Sequence, residues 1–188
     1  NDIIKKYPVD DIERALILQY LSKNNISTNA HVDIDAYLEG FSPSEELTED
    51  VASMKHISLA ELAVDMELLI PEEDRETNGA FFTPQHIVDY IIKTTKPQQH
   101  SKIIDISCGC GAFLLGILRY YTHVLGKSVN ETISDNLYGV DILNYNVRRS
   151  KLLIMLYGLS VGEVVREGNI HVYNDNSLTR KWENKYDI

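Results

Sequence analysis

Residues 105–114 read Asp-Ile-Ser-Cys-Gly-Cys-Gly-Ala-Phe-Leu, and Asp141 and the pair Asp175–Asn176 follow downstream. Gly109 and Gly111 remove Cβ atoms where a chain must turn sharply, and a helix starting just beyond them aims unpaired N–H groups into the same space. An acid closing a neighbouring strand, such as Asp141, can accept two hydrogen bonds from a ribose diol. Asp105, beside the loop, suits a cationic ammonium group. An Asp or Asn at 175 or 176 suits the edge of an adenine. Ribose, adenine and ammonium together describe S-adenosylmethionine better than a dinucleotide. A dinucleotide loop wants a third glycine three residues past Gly111, where Leu114 stands, and an acid about 20 residues further on, a distance Asp141 overshoots.

The elements that must position these residues are legible from periodicity. Residues 102–106 are an apolar strand, 112–125 a helix, 137–141 a second strand, 145–157 a helix ended by Gly158, and 169–173 a third strand. A helix over 84–93 precedes them, with Pro84 in its first turn and Thr83 as its cap. Alternation of strand and helix implies parallel strands with crossover helices, an open α/β sheet with its ligand at the carboxyl ends of the strands. Before residue 80 only helical spacing is found, over 11–23, 44–56 and 57–70, the last stopped by Pro71. The expected organisation is a helical region at 1–76, with 71–78 as connector, followed by an α/β domain over 77–188.

Bulk properties narrow the partners. With 44% hydrophobic and 24% charged residues, the chain has the composition of a soluble globular protein. No apolar run is long enough to span a bilayer and no secretory signal is visible, so a cytoplasmic setting is expected, without membrane. The net charge of −10 is unevenly spread: 1–76 holds 18 acidic and 6 basic residues, whereas 77–188 holds 10 and 12. The first region is poorly suited to gripping phosphates, and a solvated acidic surface explains it better. Cys108 and Cys110 are too close for a structural disulfide and lack the second pair that zinc needs, so no metal is expected.

The run at 105–114 resembles the Asp-Pro-Ala-Cys-Gly-Ser-Gly-Ala-Phe-Leu motif of adenine-N6-specific DNA methyltransferases of restriction–modification systems, the group that includes type I modification subunits and fused type II enzymes. Upstream, Arg-Glu-Thr-Asn-Gly-Ala-Phe-Phe-Thr-Pro at 75–84 resembles that family's Arg-x-x-x-Gly-x-Phe-Tyr-Thr-Pro segment. Leu-Tyr-Gly-Val-Asp-Ile at 137–142 resembles its acidic second-strand motif, and Asn-Ser-Leu at 176–178 its third. The resemblance implies a Rossmann-like S-adenosylmethionine-dependent methyltransferase sheet, incomplete here, preceded by a small helical region. It implies that Thr83 and Pro84 contact the methionine carboxylate, with Phe81 and Phe82 packed near the cofactor. Asp105, Ser107, Cys108, Gly109, Gly111 and Phe113 would form the methionine loop. Asp141 would hold the ribose, Ile142 the adenine face, and Asn176 the adenine edge, with Asp175 as the alternative.

There are departures from the family pattern. Ile106 and Ser107 stand where Pro and Ala are usual, Cys110 replaces Ser, and Asp175 stands where Gly is usual. The family's catalytic Asn-Pro-Pro-Tyr motif follows the fourth strand, and no Pro-Pro occurs in this chain. The expectation is therefore a cofactor-binding part of a longer enzyme, inactive alone, whose catalytic motif lies beyond Ile188. That enzyme would transfer a methyl group to a flipped adenine of double-stranded DNA, alongside a specificity or nuclease domain or subunit. The alternatives are part of an RNA or protein-glutamine methyltransferase, or a scaffold module that keeps the fold without catalysis.

Overall fold

A computed structural model describes residues 2–28, 31–54, 58–78, 83–182 and 185–188. The chain divides into two compact units, Asn1–Phe81 and Phe82–Ile188. Among the described residues no helix is long and apolar enough to cross a membrane.

The described residues of the first unit hold the helices α1 (Asp2–Lys6), α2 (Val9–Lys23), α3 (Val32–Leu38), α4 (Glu45–Ala52), α5 (Leu59–Leu68) and α6 (Glu72–Asn78). Helix α2 is its centre, burying Ile12, Leu16, Ile17 and Tyr20, while Ile34, Leu47, Val51, Leu62 and Met66 are buried from the other helices. Starts are set by side-chain caps. Ser44 accepts from the Leu47 N–H, and Ser58 with Glu61 forms a capping box that satisfies two otherwise orphaned N–H groups. Three features depart from expectation, the first being the short helix α1, where none was expected. Residues 72–78 form a helix rather than a connector, because Pro71 both ends one helix and suits the start of the next. Three acids in the first turn of α6 then complement its positive end. Helix α3 went unread because its cap is the His31 imidazole, whose Nδ1 accepts from the Ile34 N–H at 3.4 Å.

The second unit begins with α7 (Gln85–Thr95) and continues through β1 (Ile103–Asp105), α8 (Ala112–His123), α9 (Val129–Asp135), β2 (Leu137–Asp141), α10 (Asn144–Ser160), a 3-10 turn (Glu167–Asn169) and β3 (His171–Asn174). The three strands are parallel in the order β1-β2-β3, with Ile103 opposite Leu137 and Tyr138 opposite His171. All five residues of β2 are buried, as a central parallel strand requires. On the outer edge of β1 the terminal residues add a rung. The Ile188 N–H donates to Lys102 O (3.3 Å), and the Ile104 N–H donates to Ile188 O (3.0 Å). The segment reaching that edge rests on aromatic contacts: Tyr186 meets Tyr138 edge-on at 5.1 Å, Tyr138 stacks on His171 at 5.0 Å, and Trp182 meets Tyr186 at 6.0 Å.

Several ends differ from the sequence expectation: β3 begins at His171 rather than 169, because Glu167–Asn169 form a 3-10 turn, and α8 stops at His123 rather than 125. Pro84, not Thr83, occupies the cap position of α7, so no side chain caps it. Helix α10 runs through Gly158 to Ser160. A Cβ at Gly158 would sit 2.6 Å from Val165 Cγ2 and 3.0 Å from Glu163 O, so this glycine admits a close neighbour rather than ending a helix. Helix α9 was missed although its Ser128–Glu131 capping box is written in the sequence. The packing of α8 on the sheet also answers where the missing third loop glycine went. A Cβ on Gly139 of β2 would lie 3.1 Å from Leu114 Cδ1, so the strand carries the glycine and the helix the bulk.

Candidate functional site

Asp105 with the glycine loop, Asp141 with Ile142, and Asp175 with Asn176 stand at the carboxyl ends of β1, β2 and β3. Between β1 and α8 the chain turns through Gly109 (φ +55°) and Gly111 (φ +91°), left-handed conformations that side chains resist. A Cβ at Gly111 would lie 3.1 Å from Ser150 Oγ, whereas one at Gly109 would meet nothing within 4 Å. Gly111 is thus small for packing, and Gly109 is small beside open space.

Asp141 ties this loop to β2. Its Oδ2 accepts from the Gly109 N–H (2.8 Å), and its Oδ1 accepts from the Leu143 N–H (2.9 Å) and Asn146 Nδ2 (3.2 Å). Of the roughly four acceptor positions on a carboxylate, three are filled. The expectation that Asp141 accepts both hydroxyls of a diol is therefore narrowed to one, because the loop itself uses the rest. Ile142, the next residue, is 54% exposed, leaving an apolar face at the strand end.

Asp105 is half-buried and accepts the Ser107 N–H at 3.1 Å. Burial pushes its carboxyl above the usual carboxylate range; the Ser107 N–H opposes this, and the charge of Asp141 adds to it. It lines a cavity of about 240 Å³ with Ile106, Phe113, Ile91, Thr95 and Ile188. A cation placed there would recover the solvation the carboxylate has lost. Asp141, Ile142, Asp175 and Asn176 do not line that cavity.

At the end of β3, the Asp175 N–H donates to Asp141 O (3.0 Å), and Asn174 Nδ2 donates to the carbonyls of Asp141 (3.1 Å) and Ile142 (2.9 Å). The tips of β2 and β3 are thereby fixed together. Asp175 Oδ2 pairs with Arg180 Nη1 at 2.8 Å, while exposed Asn176 accepts the Leu178 N–H through Oδ1 (3.0 Å).

Other expected residues are placed differently. The Cys108 thiol is 5% exposed and lies 4.0 Å from Ser150 Oγ, and its N–H donates to Val140 O. Burial, then the charges of Asp105 and Asp141, pushes this thiol well up, so it is an inert packing group. Ser107 is exposed and Phe113 half-buried at the loop. Thr83 is half-buried and Pro84 exposed at the start of α7, and Phe81 and Phe82 lie outside the described residues.

Two contributors were missed by sequence reading. Asn146 and Ser150 on α10 are both buried. Asn146 Nδ2 donates to Asp141 while its Oδ1 accepts the Cys110 thiol (3.5 Å), and Ser150 Oγ donates to Gly109 O at 2.8 Å. Their signal was two small polar residues four apart, and so on one face, in the first half of α10.

Comparison with known proteins meets this geometry. Over 106 aligned residues the chain is 29% identical to the type II restriction enzyme and methyltransferase RM.Eco57I of Escherichia coli, covering 47% of this chain and 10% of that protein. The chain thus spans about a tenth of that curated relative's length. A solved structure assigned as a modification subunit of a type I restriction enzyme from Vibrio vulnificus YJ016 is similar with 20% identity and a TM-score of 0.43, over 78% of this chain and 27% of that one. The family described as N-6 DNA Methylase matches residues 68–188, which take in α6 and the entire second unit. That match covers well over half of the 188 residues, and the chain belongs to the N-6 DNA methylase family.

Proposed function

We propose that the second unit binds S-adenosylmethionine at the carboxyl ends of its strands, as the cofactor-holding part of an adenine-N6 DNA methyltransferase of a restriction–modification system. The observation that carries this reading is the Gly109–Asp141 hydrogen bond. It joins the glycine loop of β1 to the acid of β2, so that groups suited to an amino acid and to a ribose share one rim. The fit is supported by the open space beside Gly109, the exposed face of Ile142, and the half-buried carboxylate of Asp105.

Asp105 would neutralise the ligand's ammonium group, with Thr83 and Pro84 near its carboxylate and Phe81 and Phe82 packed alongside. Ser107, Gly109, Gly111 and Phe113 would shape the space around the methionine chain, and Cys108 would support the loop from beneath. Asp141 would accept a ribose hydroxyl, Ile142 would cover the adenine face, and Asp175 or Asn176 would meet its edge. Bound there, S-adenosylmethionine supplies an electrophilic methyl group. The chain's part is orientation: a rigid loop fixes the donor, so that a flipped adenine held by the rest of the enzyme need only align. The longer protein would act in the cytoplasm on double-stranded DNA, with a specificity or nuclease domain or subunit. RM.Eco57I, named as both restriction enzyme and methyltransferase, supports that context.

Calorimetric titration of S-adenosylmethionine into the purified chain tests the reading. Saturable binding, competed by S-adenosylhomocysteine but not by NAD and weakened by Asp105→Ala, is expected. Neither heat nor thermal shift at millimolar ligand would sink it and favour a scaffold role.

A further inference from the structure

Two adjacent side chains at the tip of β3, Asp175 and Asn176, both have the chemistry to meet an adenine edge, and nothing in the strand itself chooses between them. We infer that Arg180 makes the choice: it is a positioning residue that holds the Asp175 carboxylate away and leaves Asn176 to read the base. The inference rests on the cofactor site proposed above.

The turn after β3 brings Arg180 back over its own start. The N–H groups of Thr179 and Arg180 both donate to Asn176 O, at 3.1 and 2.9 Å, which winds residues 176–180 into a single helical turn. Arg180 Nη1 then reaches Asp175 Oδ2 at 2.8 Å, and the other oxygen, Oδ1, accepts the Asn176 N–H at 2.8 Å. Each carboxylate oxygen thus has a partner inside the turn, and the ion pair orients the group toward Arg180 rather than exhausting its acceptor positions. An isolated, partly exposed ion pair holds little. Here the guanidinium is also lodged between two rings, 4.5 Å from the centre of Tyr173 and 5.6 Å from that of Trp182. The fork is oriented before it meets the carboxylate, so less side-chain freedom is lost in forming the pair.

Asn176 is left with the complementary chemistry. Its Oδ1 accepts the Leu178 N–H, which fixes the amide's orientation and leaves the NH2 group and one lone pair of Oδ1 for a ligand. An adenine edge offers an acceptor at N1 and a donor at N6, so one amide can satisfy both. A carboxylate can only accept. A 6-oxo purine reverses both groups, and an amide pinned by Leu178 cannot rotate to match it without giving up that bond. Arg180 and the Leu178 N–H together make the tip of β3 selective for a 6-amino purine.

The test is calorimetric binding of S-adenosylhomocysteine and of its 6-oxo analogue, S-inosylhomocysteine, to the full chain and its variants. The wild-type chain should prefer the 6-amino ligand by about tenfold or more, the value of roughly one well-made hydrogen bond. Asn176→Ala should lose about that factor and most of the preference, while Asp175→Asn should change either affinity less than about twofold. Arg180→Ala should release the carboxylate, so that Asp175→Asn becomes consequential in that background; this non-additivity is one a purely structural role would not produce. Arg180→Lys, which keeps the charge but not the stacked fork, should restore only part of the preference, and Arg180→Gln, which removes the charge at similar length, covers the case in which Arg180→Ala folds poorly. If Asp175→Asn in the wild-type background costs as much as Asn176→Ala, the carboxylate itself meets the base and the inference fails while the cofactor site stands. If the wild-type chain binds neither ligand, the cofactor site and this inference fall together.

Discussion

The two units spend their hydrogen bonds over different distances along the chain. In the helical unit they are mostly local: Ser44 to Leu47, Ser58 to Glu61, and Asn24 to Tyr20 each close within one turn. In the α/β unit the informative bonds span 30 residues or more, as in Gly109 to Asp141, Ser150 to Gly109, and Asn130 to Glu163. Local caps set where helices begin, and apolar packing does the rest. Long-range polar bonds fix loops against one another, which a ligand-holding rim requires and a packing annex does not. The helical unit has a few long-range side-chain bonds as well: the Tyr37 hydroxyl donates to the buried Glu13 of α2 at 2.6 Å, and Lys6 and Tyr7 both donate to Asp50, at 2.7 and 3.0 Å.

That contrast can be broken by mutation. Asp141→Ala should have the largest effect, because it strands three donors around the glycine loop; a loss of about 3 kcal/mol is expected in urea unfolding. A loss below about 1 kcal/mol would mean that the loop does not depend on this acid. Gly158→Ala comes next, at about 2 kcal/mol, since the new methyl must displace Val165 or the Glu163 carbonyl. An unchanged unfolding midpoint would show that α10 can shift freely. In the helical unit, Tyr37→Phe should cost about 1 kcal/mol, the value of a single hydrogen bond; a loss equal to that of Asp141→Ala would erase the difference between the units.

The smallest effect should have the opposite sign. The carboxyl of Asp105 is raised in the folded chain by burial. Its contribution to stability is therefore fully present below the unfolded carboxylate value of about 4 and is lost as pH rises through the higher folded value. At neutral pH the charged group costs stability. Asp105→Asn should then melt slightly higher than wild type at pH 7, lose that advantage near pH 4, and bind cofactor more weakly. A variant that melts lower at pH 7 would make Asp105 a structural residue like Asp141.

Much of the α/β unit was legible because its signals are local. The strand 137–141 was read with its observed bounds, since five consecutive buried positions leave no ambiguity of face. The family motifs pointed to the fold that the three parallel strands display, and they named candidate ligand residues in chain order. Less was legible where one residue serves a partner distant in sequence. Gly158 looks like a helix stop until Val165 is seen against it, and Gly139 looks like a weak strand residue until Leu114 occupies its space. The three bonds already held by Asp141 were hidden for the same reason: its donors come from three segments, and only Leu143 and Asn146 are near it in sequence. In the helical unit, α3 escaped because a histidine does a serine's work.

The rung between the terminal residues and β1 has a consequence for how the sheet is assembled. Lys102 and Asp187 bond across 85 residues, whereas Ile103 and Leu137, or Tyr138 and His171, are far closer in sequence. Closing the longer loop costs more chain entropy and contributes only a few bonds in return. The Lys102–Asp187 pairing should therefore form after the β1–β2 ladder and exchange its amide hydrogens sooner than that ladder does. Asp105 and the glycine loop hang from that strand. The rim that would meet a ligand thus shares a strand with the longest-range pairing among the described residues.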